Sequence, residues 1–299
     1  MADGASRDRI EKIDRAIAYI DEHILERPAL GEIAAAACLS PYHFHRSFSR
    51  IVGEPVVAYV RRRALAKAAW ALIHQAGESI TAVALEHGFS SHSDFSRAFK
   101  SVYGMTPAEF RARAGGVFLG DDAGETIPAT DVGSDFEPSI RSIGDLNLAY
   151  IAAFGLSRQR ESPAIEASFA RLYAFLESRR FLRKDTIFLG LTLDSPETLD
   201  FRRCRYYVCA TVPEDLKGEG EIGVGTFPTA GEYACAELPE IRSAEAQKPF
   251  FGAYSYLTNR WIPAAGLALD ERPFIELFSD GGRSCWKILM PVAKRARSA

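Results

Sequence analysis

A pattern that occurs twice in the first third of the chain limits its fold more than any other feature. The first copy reads Leu30, Ile33, Ala34, Leu39, Ser40, then Phe44-x-Arg46-x-Phe48, then Gly53 and Pro55. The second reads Ile80, Val83, Ala84, Phe89, Ser90, then Phe95-x-Arg97-x-Phe99, then Gly104 and Pro107. Matched positions lie 50 residues apart before the two serines and 51 apart from Phe44/Phe95 to Gly53/Gly104. The spacing places the one-residue slip in the turn Ser91-His92-Ser93-Asp94. Two short helices joined by a small-residue turn make a helix-turn-helix unit. Two such units fit a protein that reads two successive major grooves of one duplex.

The surrounding residues supply the rest of a helical domain. Ile10, Ile13, Ile17, Ile20 and Ile24 recur at steps of three and four, which puts one isoleucine stripe on a helix over about 9–26. Pro28 ends it, and a short helix follows at about 30–37. Ser40 as N-cap and Pro41 as first helical residue predict a helix over about 41–51, stopped by Gly53. A longer helix over roughly 55–76 turns Val56, Val60, Ala64, Leu65, Ala68 and Leu72 inward, and its rigidity fixes the separation of the two reading helices. To engage one face of a duplex that separation must be near one DNA turn, about 34 Å.

Residues 114–136 are rich in Gly, Asp and Thr with no sustained period, and read as a linker between domains 1–113 and 137–299. Beyond it, strand-like runs at 146–154, 187–193, 205–212, 224–236, 273–279 and 285–292 alternate with helix-like segments at about 163–180 and 243–262. That order predicts two β-α-β-β halves sharing one antiparallel sheet. The fold class is therefore multidomain: an all-α double helix-turn-helix followed by an α+β domain.

Charge follows the same division. The chain carries a formal net charge of −3. Residues 40–113 hold 10 Lys+Arg against 5 Asp+Glu, whereas residues 114–299 hold 21 against 26. The positive bias lies with the repeat and fits phosphate contact; the acidic second half does not suit a general nucleic-acid coat. The 5 cysteines form no C-x-x-C pair, and all 6 histidines precede residue 93, so no metal site, disulfide framework or cofactor is expected. A charged amino terminus and the lack of an apolar run of about 18 residues argue for a cytoplasmic protein without a membrane span.

The early exposed residues of the second helix in each unit reach base edges. In the first unit these are Tyr42, His43, His45, Arg46 and Arg50. In the second they are Ser91, His92, Ser93, Ser96, Arg97 and Lys100. Arginine makes a bidentate contact to guanine, and Ser or neutral His exchanges one bond. Phe44, Phe48, Phe95 and Phe99, at i and i+4, face inward. The run Arg61-Arg62-Arg63 reads as a solvated face with one phosphate contact among the three.

These residues resemble the AraC/XylS family of transcription regulators over roughly residues 8–113. The second unit, GFSSHSDFSRAFKSVYGMTPAEFR from Gly88 to Arg111, is the closer match. The first, CLSPYHFHRSFSRIVGEPV, departs at Cys38, where the family usually has alanine or glycine. The resemblance implies that one chain occupies an asymmetric site on double-stranded DNA by itself.

In the second domain Glu276 stands out, in the run Pro273-Phe274-Ile275-Glu276-Leu277-Phe278. Alternation puts Phe274, Glu276 and Phe278 on one face. Spacing leaves two readings open: a carboxylate among aromatic rings that favours an apolar cation, or an exposed glutamate on an edge strand. Residues 137–292 resemble the GyrI-like effector-binding domain, of SHS2-type fold, in the stretches LNLAYIAAFG (146–155), FLGLTLDSPETLDFRRCRYYVCATVP (188–213), GTFPTAGEYACAEL (225–238), and from Tyr254 to Phe278. The resemblance implies that Glu276 faces a ligand cleft with Phe274, Phe278, Trp261 and Tyr254 around it. A DNA reader followed by such a domain resembles the Rob-type arrangement.

The implied protein is a transcription regulator, not an enzyme, with double-stranded DNA, a small apolar or cationic effector and RNA polymerase as partners. Two alternatives come from the same residues. One is a hydrolase of reactive small molecules using Glu276 as general base with Tyr254 nearby. The other is a protein-binding module presenting the acidic half.

Overall fold

The chain forms two units, which are described separately, in a computed structural model that describes residues 2–75, 77–113, 137–154, 163–193, 205–238, 247–279, 281–282 and 284–294. The predicted linker and Cys204 lie outside the described residues.

The first unit is helical: α1 (Ala2–Glu22), a 3-10 turn (Ile24–Glu26), α2 (Leu30–Ala36), α3 (Pro41–Val52), α4 (Val56–His74), α5 (Ile80–Glu86), α6 (His92–Tyr103) and α7 (Pro107–Arg113). Ile13, Ile17, Ile20 and Ile24 are buried, as the stripe requires, and pack with Ile33, Phe44 and Phe48. Helices α3 and α6 are the two second helices, each of 12 residues. Ser40 caps α3 by accepting from the His43 N–H at 3.5 Å, and Ser91 caps α6 by accepting from the Asp94 N–H at 3.1 Å. Both helices end on a glycine in the left-handed region, Gly53 at φ 83 and Gly104 at φ 70, where a side chain would be strained.

These caps correct the alignment of the repeat. Ser40 matches Ser91, not Ser90, and His92, Ser93 and Asp94 already form the first turn of α6. The inserted residue is Ser90, in the turn before the cap. Upstream of it the two turns are alike, with the Leu39 N–H bonded to Ala34 O and the Phe89 N–H to Ala84 O, each at 2.9 Å. Cys38 (φ 52) and Gly88 (φ 76) occupy the left-handed position of their turns.

The second unit is built from β1 (Ser139–Ile143), β2 (Leu146–Phe154), α8 (Pro163–Ser178), β3 (Phe188–Thr192), β4 (Arg205–Thr211), β5 (Gly223–Phe227), β6 (Gly231–Glu237), α9 (Gln247–Tyr256), a π turn (Leu257–Trp261), α10 (Ile262–Ala264), β7 (Leu267–Leu269), β8 (Phe274–Ser279) and β9 (Ser284–Lys294). The strand order is β1-β6-β9-β8-β3-β4-β2-β5, antiparallel throughout, with β7 paired to β9. The two β-α-β-β halves are β2-α8-β3-β4 and β6-α9-β8-β9, and they meet where β3 pairs with β8. The meeting strands carry kindred sequences, Phe188-Leu-Gly-Leu-Thr192 and Phe274-Ile-Glu-Leu-Phe278.

The run at 224–236, read from sequence as one strand, is two. Pro228 lacks an N–H to continue the ladder. Thr229 Oγ1 instead donates to Gly144 O at 2.9 Å, and the Ala230 N–H to Asp145 Oδ1 at 2.9 Å. The break lets β5 pair with β2 while β6 pairs with β1. Strands β1 and β7 carry no periodic signal: β1 is exposed at four of its five positions, and β7, though apolar, has only three residues.

The α8 cluster and the α9 cluster lie on one face of the sheet and share Phe278. The opposite face buries a single cluster that reaches from Leu148 on β2 to Tyr233 on β6. The cluster runs through every strand between them, with Tyr207 on β4, Leu189 on β3, Ile275 on β8 and Leu289 on β9. Among the described residues, no helix is long and apolar enough to cross a membrane.

Candidate functional site

Phe44, Phe48, Phe95 and Phe99 are fully buried, which fixes the rotation of α3 and α6 about their own axes. The opposite faces are thereby turned outward. On α3, Tyr42, His43, His45, Arg46 and Arg50 are all exposed, and Tyr42 keeps 66% of its surface. The Arg46 guanidinium lies over the Tyr42 ring at 5.8 Å, and its Nη1 donates to the Tyr42 hydroxyl at 3.3 Å. The two side chains form one donor-rich element at the start of the helix.

On α6, His92, Ser93, Arg97 and Lys100 are exposed and Ser96 is half-buried. Ser93, Ser96, Arg97 and Lys100 project from one side, since they are spaced by three or four residues. Ser91 differs from the others. Its Oγ accepts the Asp94 N–H, so it serves as the helix cap and keeps its O–H hydrogen and one lone pair for an outside partner.

The arginine triplet on α4 is not a solvated face. Arg62 is buried and paired with Glu54 through Nε at 3.0 Å, with its guanidinium over Tyr59 at 5.1 Å. Arg63 is buried and paired with Asp21 at 2.9 Å. Only Arg61 points out, 57% exposed and 4.0 Å from Asp94 at the start of α6. Helical geometry accounts for this, because three consecutive residues span about 200° and cannot share a face.

In the second unit the site is centred on β8, at the seam of the two halves. Glu276 pairs with Gly190 on β3 and Ile288 on β9, so it belongs to an interior strand and not to an edge. It is buried, with 8% of its surface exposed. The Tyr206 hydroxyl donates to Glu276 Oε2 at 2.7 Å, and the Tyr254 hydroxyl donates to Oε1 at 3.1 Å. Tyr206 reaches from β4 across the width of β3, and Gly190 makes room for it. A Cβ at Gly190 would lie 1.8 Å from the Tyr206 oxygen. Burial first, and the negative charge of Glu276 second, hold the Tyr206 phenol well above its usual ionisation range. It is therefore a permanent donor at neutral pH.

The aromatic residues expected around Glu276 divide between two clusters. Phe274 packs with Tyr254 at 6.2 Å between rings, and Trp261 packs on the same core. Phe278 points along the same face toward α8, with Phe169 at 4.8 Å. Trp261 closes the π turn that follows the helix carrying Tyr254; such turns are frequent at functional sites. Sequence reasoning missed Tyr206 and Gly190. Their signal is indirect: a glycine opposite a carboxylate can be recognised only once the strand register is known.

Comparison with known proteins places both units. A family model described as a helix-turn-helix domain matches residues 33–113, and one described as a GyrI-like small molecule binding domain matches residues 136–292. An uncharacterised HTH-type transcriptional regulator, YbfP of Bacillus subtilis (strain 168), is 36% identical over 99 residues, 33% of this chain and 33% of that protein. The right origin-binding protein of Escherichia coli (strain K12) is 36% identical over 93 residues, 31% of this chain and 32% of that protein. The match thus spans about a third of the length of these relatives. Among solved structures, the C-terminal domain of EcmrR is 16% identical, covers 54% of this chain and 99% of that one, and gives a TM-score of 0.38.

Proposed function

This chain belongs to the GyrI-like small-molecule-binding family through its second unit and to the AraC-type helix-turn-helix proteins through its first, and on that premise we propose that it is a one-component transcription regulator. The first unit binds promoter DNA through α3 and α6. Arg46 and Arg97 read guanine edges, and Lys100, Arg50 and the neighbouring His and Ser side chains supply single bonds and phosphate contacts. The second unit binds a small apolar or cationic effector and shifts DNA affinity or contact with RNA polymerase. The protein works in the cytoplasm, where its DNA is.

One observation carries the effector reading: a buried carboxylate, Glu276, at the centre of the sheet with one phenol hydroxyl on each oxygen. The phenols hold the carboxylate in place and supply ring faces, and an anion among rings in a dry site attracts an apolar cation. A DNA-reading unit on the same chain favours sensing over turnover at this carboxylate. Control of transcription requires the effector to favour one state of the protein over another; tight binding alone shifts nothing.

The test is calorimetry of the full chain with a tetraalkylammonium ion, together with duplex selection from a randomised pool. Binding of the cation by the wild type and its loss in Glu276→Gln supports the effector site; equal heats from both proteins remove it. Failure to select any duplex removes the DNA reader. Recovery of a candidate ligand with altered mass would favour a hydrolase instead.

A further inference from the structure

Arg27 has no place in the sequence pattern, yet three features single it out. It follows the 3-10 turn and precedes Pro28, but its backbone lies in the left-handed region at φ 54 and ψ 67. A residue before proline prefers extended backbone, and a branched or long side chain rarely takes positive φ, so this conformation is held from outside. Its guanidinium lies over the Phe89 ring at 4.6 Å. Its stem lies flat on Gly88, where an added Cβ would meet Arg27 Nε at 2.8 Å and Cγ and Cδ at 3.0 Å.

Gly88 and Phe89 form the turn of the second helix-turn-helix, whereas Arg27 belongs to the first. A solvent-open cavity of about 340 Å³, lined by Leu30, Ile33, Val56, Val60, Ala64 and Phe89, lies at this joint. Another polar link at the rim is the 4.0 Å pair of Arg61 with Asp94, which is largely exposed and therefore weak.

From this geometry we infer that Arg27 is a positioning residue that sets the placement of α6 relative to α3, and with it the half-site spacing the protein accepts. The cavity leaves the second reader room to rock, and the cation over Phe89 selects one position. The inference rests on the DNA-reading proposal above. One inserted base pair turns the second half-site by about 35° and moves it by about 3.4 Å, so a rigid pair of readers discriminates strongly against it.

The experiment uses the full chain and a duplex selected by the wild type, then the same duplex with one base pair inserted or deleted between its two contacted segments. The wild type should lose about tenfold or more on either altered spacer. Arg27→Ala should bind the parent duplex more weakly and show less than about threefold preference for its spacing. Arg27→Lys, which keeps a cation over the ring, should restore most of the preference, and Phe89→Leu should relax it as Arg27→Ala does. An unchanged spacing preference in Arg27→Ala overturns the inference. So does a uniform loss across all spacers with a salt slope lower by about one, since that marks a simple phosphate contact. A wild type that selects no duplex sinks the underlying reading and this inference with it.

Discussion

Tyr206 donates its phenol hydrogen to Glu276 at 2.7 Å from two strands away, passing over Gly190. Three residues on three adjacent strands thus form one device. Tyr206→Phe leaves a buried carboxylate with one donor fewer, and should cost about 1–3 kcal/mol. Gly190→Ala should cost at least as much, because its methyl must displace the Tyr206 ring. Urea unfolding of the full chain, followed in the transition that belongs to the second unit, measures both. A neutral Gly190→Ala would show that the ring has another place to go.

Alkaline pH should attack the same unit. Burial raises the Tyr233 phenol from 10.0 to about 12, and raises Tyr206 well above its usual value. An unfolded tyrosine loses its proton near pH 10 while these two retain theirs, so the unfolded state binds fewer protons and stability falls as pH rises. The contribution is complete below about pH 10 and declines from there to about 12 as Tyr233 titrates. Denaturation midpoints between pH 8 and 12 should be flat at first and then fall, and the fall should be smaller in Tyr233→Phe. A fall of the same size in Tyr233→Phe would contradict the burial of this ring.

The two caps should differ in worth. Ser91→Ala removes a bond of 3.1 Å and should cost α6 about 1 kcal/mol, whereas Ser40→Ala removes one at 3.5 Å and should cost α3 less. Hydrogen exchange of the first-turn amides of α3 and α6 separates the effects.

The arginine triplet should split by burial. Glu54→Ala strands the buried Arg62 guanidinium and should destabilise the first unit by about 1–3 kcal/mol. Arg61→Ala, on the exposed pair, should stay within about 0.5 kcal/mol. Thermal unfolding of both variants checks the order.

Arg97→Ala should lose about 1–3 kcal/mol on a selected duplex and relax the preference at one base position. Lys100→Ala should weaken binding evenly across sequences. A panel of single-base variants of the duplex distinguishes the two outcomes.

The helical unit was the more legible half. Its signals are local: isoleucines at helical spacing, Ser and Pro at helix starts, Gly at helix ends, and phenylalanines at i and i+4 all act within one or two turns. Even there the alignment of the repeat was one residue off, because Ser90 and Ser91 are both competent caps. Only the bond from the Asp94 N–H decides which is used.

The sequence by itself determined that there are two kinds of domain, which faces of α3 and α6 are buried, and that Glu276 shares a face with Phe274 and Phe278, because period and capping chemistry are local properties. Tertiary structure alone decided that Glu276 is interior, that Tyr206 reaches it over Gly190, that Arg62 and Arg63 are internal, and that Arg27 bridges the two readers. Each of those facts is a meeting of residues distant along the chain, set by strand register and helix packing, for which no short-range pattern in the sequence carries a signal.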